Sequence, residues 1–413
     1  MNTSTCLIIG AGHAASQLAF SLRKEGWDGV IHIIAAEEFP LYQKPFLSKG
    51  YLSGDKALAD IAIKKRTAYD KKDIEISQSL AVTHIDRKTQ CITLSNGTIK
   101  SYDKLAICTG ASARQLHIQG KEKNNIFYLN TLNDAQNIRQ VIEHQTPKKA
   151  VIIGGGFIGL EVASSLRKKG IAVTIIESAQ RVLARVSAPE ISEYFTQLHQ
   201  HNDVDIVTNK HVEHFIGNAN IEGVRCTDGD IYSADIVIVG IGAVPNTTLA
   251  EQAKLNVKNG IVVDKFAVTN DPNIVAAGDC TIHNDTTNNL NIRIESVQNA
   301  MMQAKNAAAY LCNKTEHINE LPWFWSDQYQ SKLQIAGLNK GFTHTIYRGE
   351  KDKFSVWYFK HNNVIAVDCI NDPKTFMFAK KAISHQLLIN QTQLQNIDIQ
   401  LSDLVDTSPI NTA

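Results

Sequence analysis

The chain has 413 residues, 43% of them hydrophobic, which is enough to bury the cores of two or three domains and too many for a disordered segment. Its 42 Lys and Arg against 41 Asp and Glu leave a formal net charge of +1, so no global field favours nucleic acid or an acidic membrane surface. No uninterrupted apolar run nears the roughly 20 residues of a membrane span, and the N-terminal run CLIIG reads as a strand rather than a leader, so a cytoplasmic protein is expected.

The first element pair is CLIIGAGHAASQLAFSLRKEG. A short apolar strand runs into Gly10, Gly12 and Ala15 at the G-x-G-x-x-G/A positions, and a helical pattern follows. The next strand, IHIIAAEE, offers Glu37 or Glu38 for a ribose, with Ala36 directly ahead. A basic run follows at Lys64, Lys65 and Arg66, with Lys71 and Lys72 nearby. It reads either as a solvated helix face or as a patch that steers an acidic partner. EISQSLAVTHIDR and CITLSNG are strand-like, the second with an Asn96-Gly97 turn signal. KLAICTGASAR is a strand ending in a glycine turn at Thr109-Gly110.

The plan then repeats. AVIIGGGFIGLEVASSLRKKG carries Gly154, Gly156 and Gly159, and VTIIE places Glu177 at the end of the following strand. A helix is expected at 188–202, and ADIVIVGIGAVPN ends in Ile241-Gly242, echoing Thr109-Gly110. The glycines have a physical role. The first permits the tight turn, the second lets backbone approach a pyrophosphate, and the third allows close helix–strand packing, where alanine also serves. The helix N-terminus then favours the phosphates. Two such sites in one chain point to two dinucleotides, most simply FAD and a pyridine nucleotide. Glu177 accepts from a ribose 2′-hydroxyl and repels a 2′-phosphate, so NADH is expected over NADPH. Arg181, four residues on, could in principle hold such a phosphate, but a structural or solvated arginine is the favoured reading.

From 244 to about 322 the chain rejoins the first domain, with a strand ending at VAAGDC and a helix from Glu295 to Cys312. Pro322 marks a boundary. Residues 323–413 hold the β-rich runs KLQIAGL, FSVWYFK and NVIAVDCI, a helical run at 373–389, and a tail, TSPINTA, expected to be disordered. The expected architecture is α/β. Two Rossmann-like three-layer dinucleotide-binding domains, for FAD (1–112 and 244–322) and NAD (113–243), precede a small α/β C-terminal domain (323–413).

Seven cysteines (6, 91, 108, 226, 280, 312, 369) are scattered singly, with no C-x-x-C or C-x-x-x-x-C. They read as reduced thiols, and no cysteine pair is available for a disulfide relay. His211 and His214 sit at helical spacing but lack companions, so no metal site is expected. No pattern assigns an oligomeric state.

LYQKPFLSKGYL (41–52), ICTGASAR (107–114), TLNDA (131–135), GGGFIGLEVA (154–163), RVLARVSAPE (181–190), GIGAVPN (240–246), AAGDC (276–280), RIESVQNAMMQA (293–304) and PWFWSDQY (322–329) span nearly the whole chain. Together they resemble the FAD-dependent ferredoxin and rubredoxin reductases of bacterial oxygenase systems. That resemblance implies an NADH-dependent flavoenzyme that passes electrons one at a time to a small acidic 2Fe–2S ferredoxin, or to a rubredoxin. It implies that Asp279 contacts the flavin ribityl or phosphate region. The helix starting near Glu295 and Ser296 would aim its N-terminus, through the Val297 N–H, at the flavin pyrimidine. Lys49 would lie close to flavin N5 and pair with Glu161 across the domain interface. Pro45 would pack near the isoalloxazine, Ala14 and Val82 would contact FAD, and Trp325 would stand near the flavin and the docking surface. Gly242 and its neighbours would face the nicotinamide nucleotide. The resemblance also implies cofactor-binding positions at Lys44, Thr109, Gly110, Arg114, Asn130, Ile158, Arg185 and Gly278, within a flavin disulfide-reductase-like architecture.

The chain departs from the family pattern at Lys44 and Phe46, where the family carries RPPLSK, and at Asn130, where many relatives place an arginine on FAD. Lys44 cannot make a bidentate arginine contact. Ala36 stands where the family has its usual acidic residue, so the resemblance assigns the ribose contact to Glu37. Two other readings compete. An NADH oxidase, peroxidase or coenzyme A disulfide reductase needs a redox cysteine that EEFPLYQKPFLSKG lacks. An NADH-gated interaction protein resembling apoptosis-inducing factor shares the fold and the Lys–Glu pair, but lacks the match at PWFWSDQY.

Overall fold

The structure, a computed structural model, describes residues 4–285 and 290–406. The tail TSPINTA lies outside the described residues. The chain divides into two compact units: Met1–Phe46 with Lys56–Ala113 and Ala243–Asn319, and Leu47–Asp55 with Arg114–Gly242 and Glu320–Ala413.

The first unit is built on a five-stranded parallel sheet in the order Ile274–Ala276, Lys104–Ile107, Thr5–Ile9, Val30–Ile34, Ile74–Ser77. Side chains alternate across a strand, so Thr5–Ile9 feeds two cores. Cys6 and Ile8 pack with Ala15, Leu18 and Leu22 of the helix His13–Glu25 and with Ala304 and Ala308 of the helix Val297–Leu311. Leu7 and Ile9 pack on the opposite face with Ile85, Ile92 and Leu94 of an antiparallel meander. EISQSLAVTHIDR makes two strands, Ile74–Ser77 and Val82–Asp86, with Ser79 at φ 55° between them. The Asn96-Gly97 signal makes the turn into Ile99–Ser101.

The second unit repeats this sheet in the order Val204–Val207, Ala172–Ile176, Lys149–Ile153, Ile236–Val239, Ile126–Tyr128, again all parallel. Such strands are buried on both faces, which is why IVIV and AVII carry no polar alternation. The same unit holds a five-stranded antiparallel sheet in the order Trp323–Gln328, Ser331–Gly337, Asn363–Ile370, Lys353–Lys360, His344–Glu350. The helix Pro373–Ser384 covers it through Phe376, Ala379 and Ala382, against Trp357, Val367 and Cys369.

Some expectations shift. The helix expected at 188–202 spans Pro189–Gln200, and the one expected at 295–312 spans Val297–Leu311. The helical run 373–389 stops at Ser384, because Gln386 takes φ 52°. His211 and His214 do not share a helix face. The run VEHFI forms the strand Val212–Ile216, paired with Gly223–Cys226, so the spacing that suggested a helical pair is that of an edge of a meander. No group of three metal-donor side chains occurs among the described residues. No helix there is long and apolar enough to cross a membrane.

Candidate functional site

In the first unit the fingerprint is a cradle. Gly10 sits at φ 113°, and a Cβ there would meet the Cys108 carbonyl oxygen at 2.2 Å. Only glycine permits that approach. A Cβ on Gly12 would meet nothing within 4 Å. Gly12 therefore is not required by packing. It borders open space at the start of the helix His13–Glu25, which has no side-chain cap and no acidic residue in its first turn. The first backbone N–H groups of that helix are left for an anion. Ala14 and Ala15 are buried behind it. Gly278, at φ 89°, brings its backbone against Ala14, so that a Cβ on Gly278 would lie 3.4 Å from the Ala14 Cβ.

At the end of the neighbouring strand, Glu37 and Glu38 separate. Glu37 is half-buried, and its Oε2 accepts a hydrogen bond from the Tyr42 hydroxyl at 2.8 Å. Glu38 is exposed. Thr109 and Asn246 clasp each other, Thr109 Oγ1 donating to the Asn246 carbonyl at 2.8 Å and Asn246 Nδ2 to the Thr109 carbonyl at 2.9 Å. This fixes the turn that presents Gly110.

The same unit brings together Lys44, Asp279, Arg293 and Glu295. Burial, and secondarily repulsion from Glu295, pushes the Asp279 carboxyl up to about 6, with Lys44 and Arg293 opposing. Arg293 pairs with Glu295. His13, the first residue of the fingerprint helix, is pushed down to about 4 by burial and by Lys44, so it is neutral at pH 7. Ser296 caps the helix Val297–Leu311 by accepting from the Asn299 N–H at 3.2 Å, which leaves the Val297 N–H free of that cap. Among the described residues, Gln298 Oε1 and Asn299 Oδ1 are buried there without hydrogen-bond partners, polar atoms that native interiors rarely leave unpaired. Pro45 is half-buried in a short 3-10 turn with Lys44 and Phe46, and Val82 opens the meander.

The second unit holds the second cradle. Gly154, at φ 108°, would place a Cβ 2.4 Å from the Gly240 carbonyl oxygen, and Gly159 would place one 2.0 Å from that of Gly154. Gly156 faces open space at the uncapped start of the helix Phe157–Lys168. Glu177 ends its strand with both carboxylate oxygens engaged: Oε2 accepts from the Gly155 N–H at 2.6 Å and Oε1 from the Ala179 N–H at 2.7 Å. Arg181 is spent on its own loop, donating to the Ser187 carbonyl at 2.9 Å and to Ser192. Arg185 and Ile158 are exposed, and the Arg114 N–H donates to the Gly242 carbonyl at 2.9 Å. Asn130 lies half-buried before the helix Leu132–Gln145, its N–H on the Asp134 carboxylate at 3.0 Å.

Lys49 and Glu161 meet in this unit. Lys49 Nζ lies 2.7 Å from Glu161 Oε2, with the two side chains 14% and 4% exposed. Ser48 Oγ donates to the same oxygen at 2.5 Å, and Ser326 Oγ donates to Oε1 at 2.6 Å. The resemblance implied a pair that bridges two units, and here both partners fall within one. Residues 47–55 belong with the second unit, because Ser165 Oγ holds the Ser48 carbonyl at 2.7 Å and Lys168 reaches Asp55 at 3.5 Å. Trp325 stands beside Trp323 and Phe324 on the strand Trp323–Gln328, and Phe324 packs on Phe157 with ring centroids 4.7 Å apart.

Among the residues that went unassigned in the sequence are His13, Tyr42, Ser48, Asn246, Arg293 and Ser326. Ser48 and Ser326 each adjoin a residue that was singled out or lie inside a quoted motif, but serine alone carries no directional signal.

An open parallel sheet with a glycine cradle at the start of its first helix is the fold class of dinucleotide-binding proteins, and this chain has two. The chain belongs to the pyridine nucleotide-disulphide oxidoreductase family, which matches residues 4–304, and the reductase C-terminal family matches residues 323–405. The chain is 38% identical over 407 residues to putidaredoxin reductase of Pseudomonas putida, covering 97% of this chain and 96% of that protein. It is 37% identical over 398 residues to rhodocoxin reductase of Rhodococcus erythropolis, covering 96% and 93%. A crystal structure of a covalent putidaredoxin reductase–putidaredoxin complex is similar with a TM-score of 0.93 and 38% identity, over 98% of each chain.

Proposed function

We propose that the chain is an NADH:ferredoxin oxidoreductase that uses FAD and delivers electrons to a small 2Fe–2S ferredoxin feeding an oxygenase. The observation that carries this is the presence of two open glycine cradles in one chain that is similar over 97% of its length to putidaredoxin reductase. When bound, NADH and FAD supply hydride transfer and its division into single electrons.

The chain's residues bind and orient. Gly10, Gly12 and Ala15 would hold the FAD pyrophosphate at the helix His13–Glu25, with Glu37 accepting from its ribose. Gly154, Gly156 and Gly159 would hold that of NADH, with Glu177 on the ribose hydroxyls. The N-terminal end of the helix Val297–Leu311 would favour negative charge beside it, by about 0.3–1 kcal/mol. Asp279 would hydrogen-bond the flavin chain. Lys49 would place a fixed cation by the reacting ring, and Glu161 would hold that cation. We place the protein in the cytoplasm, a reading supported by its seven free cysteines.

The test is NADH-driven cytochrome c reduction by the flavin-loaded protein, with and without a 2Fe–2S ferredoxin. A large ferredoxin-dependent increase is expected. An increase with rubredoxin alone would transfer the activity to that partner, and none with either would end the reading.

A further inference from the structure

Glu161 is the end of a longer buried chain of polar groups. Ser326 Oγ donates to Glu161 Oε1 at 2.6 Å. Gln328 Nε2 donates to Ser326 Oγ at 3.1 Å. His199 Nε2 lies 2.9 Å from Gln328 Oε1. Tyr329 OH lies 3.4 Å from His199 Nδ1. Ser326, Gln328 and His199 are at most 1% exposed. Polar side chains this deep are costly unless each is satisfied, so the arrangement calls for an explanation.

The donor directions follow from the chemistry of the groups. An amide oxygen only accepts, so His199 Nε2 carries the proton that faces Gln328. Burial pushes the His199 ring down to about 4, against the Gln328 hydrogen bond that raises it, so near pH 7 the ring carries one proton and Nδ1 accepts from Tyr329. Every donor in the series therefore points the same way, from Tyr329 through His199, Gln328 and Ser326 to the Glu161 carboxylate. Aligned hydrogen bonds polarise one another, and in a low-dielectric interior their effect on a carboxylate is large. A carboxamide between the hydroxyl and the imidazole does not pass protons in its ordinary form. The series therefore transmits polarisation and is not a proton wire.

We propose that Ser326, Gln328 and His199 are positioning residues, a one-directional hydrogen-bond relay that holds the Glu161 carboxylate against Lys49. The consequence for catalysis rests on the function proposed above; the relay itself does not. The strand Trp323–Gln328 supplies two of its members, which gives the antiparallel sheet a role in the reductive half-reaction. The motif PWFWSDQY thus carries a residue pair, Ser326 and Gln328, facing inward at period two, while Asp327 between them is exposed.

The test uses the FAD-loaded full chain. Imidazole nitrogen-15 NMR on the wild type should show His199 as the Nε2–H tautomer from about pH 5.5 to about pH 8. Single-turnover reduction by NADH should slow about tenfold in Ser326→Ala, the worth of one hydrogen bond to a charged group, with the NADH KM nearly unchanged. Ser326→Thr, which keeps the donor, should recover most of the rate. His199→Phe should slow reduction, and His199→Gln, which keeps a donor toward Gln328, should recover it. The exposed neighbour change Asp327→Asn should have no effect. An Nδ1–H tautomer in the wild type would overturn the relay even if every variant failed to fold. So would wild-type reduction rates in folded, loaded Ser326→Ala and His199→Phe. A wild type that NADH does not reduce would instead overturn the proposed function, and the tautomer would still decide the relay.

Discussion

Lys49 Nζ and Glu161 Oε2 lie 2.7 Å apart, nearly out of contact with water. An exposed pair of this kind is worth about 0–1 kcal/mol. This one is different because its acid also receives Ser48 and Ser326, so the carboxylate is surrounded by donors and the ammonium is its only cation in contact among the ion pairs of the described residues. Removing one partner of a buried pair leaves the other desolvated. Lys49→Met should lower stability by about 3 kcal/mol in urea unfolding of the apoprotein. In the loaded protein it should also slow NADH-dependent flavin reduction. Unchanged unfolding together with unchanged reduction would remove Lys49 from the site.

Gly10 and Gly12 stand two residues apart and should fail differently. Gly10→Ala forces a Cβ to 2.2 Å from the Cys108 carbonyl oxygen at a φ of 113°, so the apoprotein should unfold at markedly lower temperature. Gly12→Ala meets nothing, and its φ of −89° suits any residue, so the apoprotein melting temperature should hold. FAD binding should nevertheless weaken, by about tenfold or more, because the methyl occupies the approach a pyrophosphate needs. FAD titration of the two folded variants separates the effects. Retained affinity in Gly12→Ala would show that the open space is not the cradle.

Much of this was legible because the parallel strands are short, apolar and end in glycines whose backbone demands are steep. Gly10 and Gly154 could be placed from spacing alone, since only glycine tolerates the turn that follows such a strand. Spacing alone leaves Glu37 and Glu38 open, and only the departure from the family pattern at Ala36 favoured Glu37. The Tyr42 hydroxyl that singles out Glu37 comes from five residues on, after a turn that spacing does not reveal. The unit to which Lys49 belongs was also hidden. That depends on Ser165 holding the Ser48 carbonyl, a contact between residues 117 apart in sequence. The inward serine of PWFWSDQY was visible as part of a motif, but its target, Glu161, is 165 residues away.

Glu177 should set the nucleotide preference. Its carboxylate is fixed by the Gly155 and Ala179 N–H groups and keeps lone pairs for ribose hydroxyls. Arg181, the nearest cation in sequence, is committed to Ser187 and Ser192 and is not poised for a 2′-phosphate. The wild type should favour NADH over NADPH in kcat/KM. Glu177→Ala should raise the NADH KM by about tenfold and narrow the difference between the two nucleotides. Equal kcat/KM for both nucleotides in the wild type would rule out the carboxylate as the discriminator.

Asp368 makes stability depend on pH in a direction opposite to a paired surface acid. It is fully buried, and burial pushes its carboxyl up to about 7, although the Tyr358 hydroxyl, which donates to its Oδ2 at 2.6 Å, and the Ser187 hydroxyl oppose the rise. The folded state therefore keeps a proton that the unfolded chain releases near the ordinary aspartate value of 3.8. That contribution to stability is fully present below about pH 3.8 and is lost as pH rises through about 7. Above that, the core holds an ionised carboxylate. Asp368→Asn removes the titration while keeping the size of the side chain and an acceptor for Tyr358. The variant should gain stability relative to wild type as pH rises, by about 3 kcal/mol between about pH 5 and about pH 8. Urea unfolding of both proteins at the two pH values measures the difference directly. If the wild-type and variant curves shift in parallel between them, Asp368 does not change its protonation on unfolding.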